Sequence, residues 1–209
     1  TGVNPEKITV TLESADELPK GNKPVDELIG KKFIMYIGRP TPHKNLRRLI
    51  DAFALLQKKY PDLTLALAGK KDSNYARHET YVNERGIKNV VFTGFISDEQ
   101  LRWMYENTAV YCFPSLSEGF GLPGLEAMLH GAPVASSTAT CLPETHGDAA
   151  HYFDPFSVED IAKSIDDILS DDKLRNELVK KGRKHVKTFS WRRMAEQTLA
   201  VYEKYGRKS

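Results

Sequence analysis

The residues best placed to do chemistry are two glutamates, Glu118 and Glu126, on either side of the turn Gly119-Phe120-Gly121-Leu122-Pro123-Gly124. Before them, Val110-Tyr111-Cys112-Phe113 has the continuous apolar character of a short buried strand. After them, Leu122, Leu125, Met128 and Leu129 fall on one helical face, and Pro123 is tolerated in a first turn. A glycine-rich turn between a strand and a helix start points free backbone N–H groups at a small space, and the helix dipole adds positive potential there. Amides suit a phosphate, and carboxylates suit hydroxyls. Together they suggest a sugar nucleotide.

Arg39 and Lys44 could supply cations to the same ligand, because both lie in the loop after another strand-like run. A planar fork beside a point charge suits a diphosphate. A lone pair of basic loop residues is usually only solvated, but a strand's carboxyl end beside a phosphate-binding turn favours the binding role. Glu126 could simply be a favourable charge near a helix start, worth roughly 0.3–1 kcal/mol. Glu118 has no such reading, since an acid in a phosphate loop opposes the ligand's charge. It makes sense against a neutral sugar. The two carboxylates could also act as a catalytic pair, as in glycoside hydrolysis.

The elements that must position these groups are regular from Lys32 onward. Strands are predicted at Phe33–Ile37, Leu63–Ala68, Asn89–Phe92, Val110–Phe113, Pro133–Ser136 and His151–Phe153. Asn45 is expected to cap a helix that buries Leu46, Leu49, Ile50, Phe53 and Leu56. A polar helix follows around Tyr75 to Glu84, and Ser97-Asp98-Glu99-Gln100 has the capping-box spacing for another. Three helices close the chain. The first is capped by Ser157 over Ile161, Ile165 and Ile168, and the second shows Leu174, Leu178 and Val186. The last, capped by Ser190, carries Trp191, Met194, Ala195, Leu199 and Tyr202 on one stripe, with Trp191 read as core. Strands alternating with helices imply right-handed βαβ units: an α/β fold with a single Rossmann-like domain, its parallel sheet flanked by helices. Residues 1–30 read as linker plus a first strand at Ile8–Thr11, and 31–209 as the ligand-binding domain. Ligands in such folds bind at the carboxyl ends of strands. The loops Gly38–Lys44, Gly69–Ser73, Gly94–Ser97 and Pro114–Gly124 all lie there.

Composition narrows the classes. The chain has 209 residues, 40% hydrophobic and 28% charged, with a net charge of +2, which suits a globular domain and gives no reason to invoke nucleic acid. No apolar run is long enough to span a bilayer. Cys112 and Cys141 lack metal or redox spacing and read as reduced thiols of a cytoplasmic protein. The six histidines are scattered, and no H-x-x-x-H or D-x-D spacing occurs, so no metal site and no cofactor are expected. His43 reads as a solvated loop residue and His130 as a helix C-terminal cap.

The run Gly119 to Gly124 also matches G-x-G-x-x-G, with Glu144 about twenty residues on, as a dinucleotide fingerprint requires. A dinucleotide-dependent oxidoreductase domain is therefore one alternative, and a non-catalytic nucleotide-sugar-binding module another. Pro114 to Glu118 separate the strand from the first glycine, where the fingerprint needs a tight turn.

Glu118 and Glu126 within SEGFGLPGLEAMLHGAPV resemble the E-x7-E donor signature of retaining glycosyltransferases of family four, which have the GT-B fold. The loop GRPTPHKN resembles that family's diphosphate-binding Arg-x4-Lys. VVFTGFISDEQL, LPETHGDAAHYFDP and FSWRRMAEQTLAVY are similar to it as well, so the resemblance runs from about Phe33 to Tyr202. It implies that Arg39 and Lys44 grip the donor diphosphate and stabilise the leaving nucleoside diphosphate. It implies that Glu118 contacts the sugar hydroxyls, that the Phe120, Gly121 and Leu122 amides hold sugar or phosphate, and that Glu126 binds the ribose. Phe95 and Ile96 would flank the base, and Gly38 would let the backbone approach the donor. The donor would be GDP-mannose or a UDP-sugar, the acceptor a glycan or lipid-linked glycan. Only the carboxyl-terminal half of a GT-B enzyme is matched. The chain is accordingly expected to be a fragment lacking the acceptor-binding amino-terminal domain, inactive alone, and peripheral at a membrane, if at all, through that missing domain. NAD is expected not to bind. Calorimetry checks this, and saturable NAD binding that GDP or UDP displaces poorly would favour the oxidoreductase.

Overall fold

The computed structural model describes residues 2–21 and 23–206. Six short strands form one parallel sheet: β1 (Phe33–Ile37), β2 (Thr64–Ala68), β3 (Val90–Gly94), β4 (Val110–Phe113), β5 (Val134–Ser137) and β6 (Ala150–Phe153). Their order is β3-β2-β1-β4-β5-β6. The chain winds outward from β1 to β3, returns to the middle, and winds the other way from β4 to β6. All strands being parallel, the loops after them share one edge of the sheet.

Each strand is apolar on both faces because helices cover both. Ile34 and Tyr36 of β1 pack with α1 (Leu46–Leu56), α2 (Ser73–Glu84) and α6 (Val158–Ser170) in one cluster. Their neighbours Phe33 and Met35 point the other way, into a second cluster. That cluster contains α3 (Asp98–Asn107), α4 (Leu122–Leu129) and Leu142 of α5 (Leu142–His146). The period-two alternation of the strand thus builds two cores from one run of residues. α1 buries all five apolar residues expected of it, and α6 buries Ile161, Ile165 and Ile168. The Ser97 capping box is present, with Ser97 and Gln100 each accepting from the other's backbone amide.

Several expectations are corrected. Ile8–Thr11 is not a strand: Ile8 and Val10 stand 55% and 66% exposed, and no strand among the described residues pairs with them. The segment before Phe33 is also more than linker. Val25 and Leu28 are buried in the second cluster, and Leu18 is tied down at both ends of its peptide group, its amide donating to His130 Nε2 (3.1 Å) and its carbonyl accepting from Arg102 (2.6 Å). Asn22, in the expected exposed loop, lies outside the described residues. Asn45 sits in the left-handed region (φ 60°) and gives α1 no side-chain cap, its Oδ1 accepting instead from the Arg48 guanidinium. The second closing helix, α7 (Asp172–His185), buries Leu178, while Val186 lies in a 3-10 turn beyond it. The last, α8 (Trp191–Tyr205), is capped by Ser190 as expected but buries no residue. Trp191 is half-buried, not core, and its indole N–H has no partner among the described residues. Leu199, Tyr202 and Tyr205 stand open on α8.

Candidate functional site

In a doubly wound sheet the ligand crevice lies where the strand order reverses. Here that is the junction of β1 and β4, whose following loops diverge towards opposite faces. The loop after β1 carries Arg39 and Lys44, and the loop after β4 carries Glu118. Lys44 Nζ meets Glu118 Oε1 at 2.6 Å, and both side chains are largely withdrawn from solvent. The two loops are stitched together by the Leu116 amide donating to His43 O (2.7 Å) and by the Asn45 amide group. Asn45 Nδ2 donates to Pro114 O (3.0 Å) and to Pro155 O (2.8 Å). From the next strand, the Ser137 hydroxyl donates to Ser115 O (2.6 Å).

The glycine-rich turn ends at Gly121, where φ is 101°, a backbone that a side chain would strain. α4 starts there with no side-chain cap. Among the described residues, the amides of Phe120, Gly121 and Leu122 donate to no protein acceptor. Three unpaired amides at a helix N-terminus make an anion-binding surface. The Phe120 ring points away, edge-on to Phe189 at 5.9 Å, so this residue offers its backbone.

His146, unremarkable in the sequence, holds this turn. It is fully buried beneath the turn, Nε2 lying 3.2 Å from Gly121 O and Nδ1 3.2 Å from the Ser136 hydroxyl. The neutral ring satisfies both, donating from Nε2 and accepting at Nδ1. Burial pushes its pKa down to about 4. A side chain on Gly124 would collide with the ring, so the glycine is needed for close packing. No motif signals His146; only the closeness of α4 and α5 does.

The other expected site residues have partners of their own. Arg39 does not share the carboxylate that holds Lys44: its side chain is 78% exposed and stands 3.9 Å from Asp72. Nor do the two glutamates share a partner. Glu126 accepts from the Tyr105 hydroxyl (3.3 Å), and burial, then Asp16 and Asp98, raise its pKa against the pull of that bond. Both glutamates act on Tyr111. Burial pushes its hydroxyl's pKa well up, with Tyr105 and Tyr36 and then Glu126 and Glu118 adding to the effect. Phe95, just after β3, is 84% exposed, but the Ile96 side chain is buried in the core and can offer a ligand only its backbone. A side chain on Gly38 would meet the Tyr36 hydroxyl at 2.7 Å, so packing against that phenol already requires glycine. His130 caps α4 as expected, its Nδ1 lying 2.8 Å from Glu126 O. Among the described residues, no three His, Cys, Asp or Glu side chains gather as metal ligands. No helix among them is long and apolar enough to cross a membrane.

The sequence profile of the glycosyl transferases group 1 family matches residues 20–185. The chain belongs to this family. It is 35% identical over 183 residues to the O-antigen chain mannosyltransferase B of Escherichia coli, a match covering 85% of this chain and 47% of that protein. It is 33% identical over 207 residues to an MMP alpha-(1->4)-mannosyltransferase of Mycolicibacterium hassiacum, covering 97% and 49%. The solved C-terminal domain of a group 1 glycosyl transferase from Francisella tularensis superposes with a TM-score of 0.69 at 29% identity, covering 81% of this chain and 93% of that one. The glycosyl transferase chain thus spans about half the length of the curated relatives it matches. It has the architecture of one half of a GT-B fold. The dinucleotide reading gives way: the glycines follow β4, not the first βα turn, and Glu144 sits in the first turn of α5.

His146 makes a testable contribution to the transferase domain's stability. Its pKa is lower folded than the ordinary 6.5, so the unfolded chain binds the extra proton first. The stability it contributes is whole above about pH 6.5 and is lost as pH falls towards 4, by at most about 3 kcal/mol. Urea unfolding of the wild type and His146→Asn across that range is expected to give a flatter pH dependence in the variant.

Proposed function

We propose that this chain carries the donor site of a retaining hexosyltransferase that moves mannose from a nucleoside-diphosphate sugar to a glycan or lipid-linked acceptor. The observation that carries this reading is the Lys44–Glu118 pair across the junction of β1 and β4, beside the three unpaired amides that open α4. The amides and Lys44 suit a diphosphate, and Glu118 suits sugar hydroxyls. Arg39, exposed on the same loop, is free to swing its long side chain onto the diphosphate. Glu126 takes the ribose hydroxyls, and Phe95 with the Ile96 backbone flanks the base. As the glycosidic bond breaks, negative charge grows on the departing diphosphate, where Arg39 and Lys44 stabilise it. No metal or other cofactor is needed in this reading, because those two cations do its electrostatic work. GDP-mannose is the favoured donor, since two relatives at 33–35% identity are named mannosyltransferases; UDP-sugars come next. Retention is what the family resemblance implies. The acceptor wall comes from an amino-terminal half of the family's kind, which also makes any membrane contact, with the reaction in the cytoplasm.

Calorimetry of the chain with GDP and UDP in the presence of a chelator tests the site, and binding that vanishes without divalent metal would refute it. Glu126→Ala is expected to weaken nucleoside-diphosphate binding by about 1–3 kcal/mol, the worth of hydrogen bonds lost with the ribose. Glu118→Ala is expected to leave that binding intact or slightly stronger, since Lys44 loses its competitor, yet to abolish transfer when both halves are present. Equal losses of diphosphate binding in the two variants would defeat the assignment.

This chain alone is expected not to transfer sugar at an appreciable rate. Holding acceptor against donor supplies roughly 7–11 kcal/mol of the barrier in well-aligned reactions, and one half offers one wall of the cleft. A radiolabelled transfer assay checks this. Donor binding with no transfer on addition of an amino-terminal half would instead favour a non-catalytic binding module.

A further inference from the structure

Behind the loop that carries Arg39 and Lys44, a cavity of about 600 Å³ opens between Pro40, Thr41 and Pro42 of that loop, the first turn of α1 and the length of α2; neither Lys44 nor Glu118 lines it. Arg47 and Arg48 of α1 and Arg77 of α2 line it, against one carboxylate, Glu84. Two of the arginines are held in place. The Arg47 guanidinium lies over the Tyr81 ring, 4.4 Å from its centroid. Arg48 donates to Asn45 Oδ1 at 2.9 Å and stands 5.5 Å from the centroid of Phe156. Among the described residues none of the three arginines makes an ion pair. Asn45 Oδ1 accepts from Arg48 and gives α1 no side-chain cap, so its first turn adds the positive end of a helix to the same cavity. His78 is half-buried in the wall. Burial first, then Arg47, holds its imidazole below the usual histidine range, so the ring senses the charge gathered there.

Guanidinium forks match phosphoryl oxygens two at a time, and forks already fixed by an aromatic face or a buried amide lose little freedom on binding. We propose that this cavity is a phosphoryl-anion site, held by Arg47, Arg48 and Arg77 with the first turn of α1, and separate from the donor crevice. The phosphoryl group belongs either to an anionic lipid headgroup or to a soluble phosphorylated compound, which present the same oxygens. Asn45 touches both places, accepting from Arg48 at one end and donating to Pro114 O of the donor loop at the other. The site does not depend on what the donor crevice binds.

The probe is inorganic phosphate, titrated into the 209-residue chain at constant ionic strength with sodium chloride in exchange, reading the His78 ring resonances by NMR. The resonances are assigned by their loss in His78→Gln. A saturable shift is expected, with affinity lowered about tenfold or more in the Arg47→Gln/Arg77→Gln variant. Both replaced side chains are exposed, and circular dichroism verifies that the variant folds. A Lys44→Ala chain is expected to lose GDP binding and keep the His78 response, which separates this site from the donor crevice. No phosphate-dependent shift, an equal shift with chloride alone, or unchanged affinity in the double variant would overturn the proposal. Sedimentation with phosphatidylglycerol but not phosphatidylcholine vesicles, lost in the double variant, would identify a lipid headgroup. A phosphate response without vesicle binding would identify a soluble phosphorylated compound. Vesicle binding that survives both substitutions would count against the site.

Discussion

The constraint from which the donor site follows is the parting of the chain between β1 and β4. β1 hands the chain to α1 on one face of the sheet, and β4 hands it to α4 on the other. Adjacent strands whose loops diverge leave a crevice at their carboxyl ends. The peptide groups along it still need partners. His43 O and the Leu116 amide satisfy each other across it, and the Asn45 amide group bridges to Pro114 O. Asn45 can do so because it takes a left-handed backbone, which asparagine tolerates better than most residues. What the helix loses in capping, the crevice gains in definition.

The Lys44–Glu118 pair belongs to this bridging. Either charge alone, withdrawn this far from water, would be costly to leave unpaired. Together they hold two side chains in place at the mouth of the crevice. A diphosphate and a sugar can then replace the pair by exchange. The phosphate takes over from Glu118 as partner of Lys44, and hydroxyls take over from Lys44 as partners of Glu118. Neither charge is stranded, so the cost of opening the pair is largely offset as it is incurred. An acidic residue in a phosphate-binding loop, puzzling as an isolated letter, makes sense as the counter-charge that keeps Lys44 aimed.

The βαβ pattern was legible because buried parallel strands are continuous apolar runs and their covering helices carry a one-sided stripe. Phe33–Ile37 and the Leu46-to-Leu56 face are clear on both counts. The same cues misled at Ile8–Thr11, where alternation without a neighbouring strand produces no ladder, and at α8, whose stripe is half-buried at Trp191 and Met194 and open at Leu199 and Tyr202. In the site, Glu118 and Lys44 were legible by residue type, but their pairing was not, since it spans loops far apart in sequence. His146 was invisible for the opposite reason. A buried neutral imidazole bonding a carbonyl and a hydroxyl leaves no spacing rule behind, only a pair of glycines that cannot be larger.

A layer of tyrosines beneath the carboxyl edge shows where that edge is complete and where it is open. Tyr75 donates to Ala68 O (2.7 Å), and Tyr105 steadies Glu126 from below. Each phenol puts an apolar ring in the core and a polar tip on a partner, Tyr75 at the end of β2 and Tyr105 on α4, a division this side chain suits well. Among the described residues, the buried hydroxyl of Tyr111, on β4, has no partner, and neither has that of Ser115 just beyond the same strand. Leaving a buried hydroxyl unpaired costs about 1–3 kcal/mol, and a stable domain tolerates few such groups. Ser115 lies just past the end of β4, in the loop that leads to the unpaired amides of the glycine turn, and Tyr111 is the second residue of the same strand. The sheet edge is therefore well satisfied at β2 and under-satisfied at the junction of β1 and β4, where a polar ligand would have the most to offer.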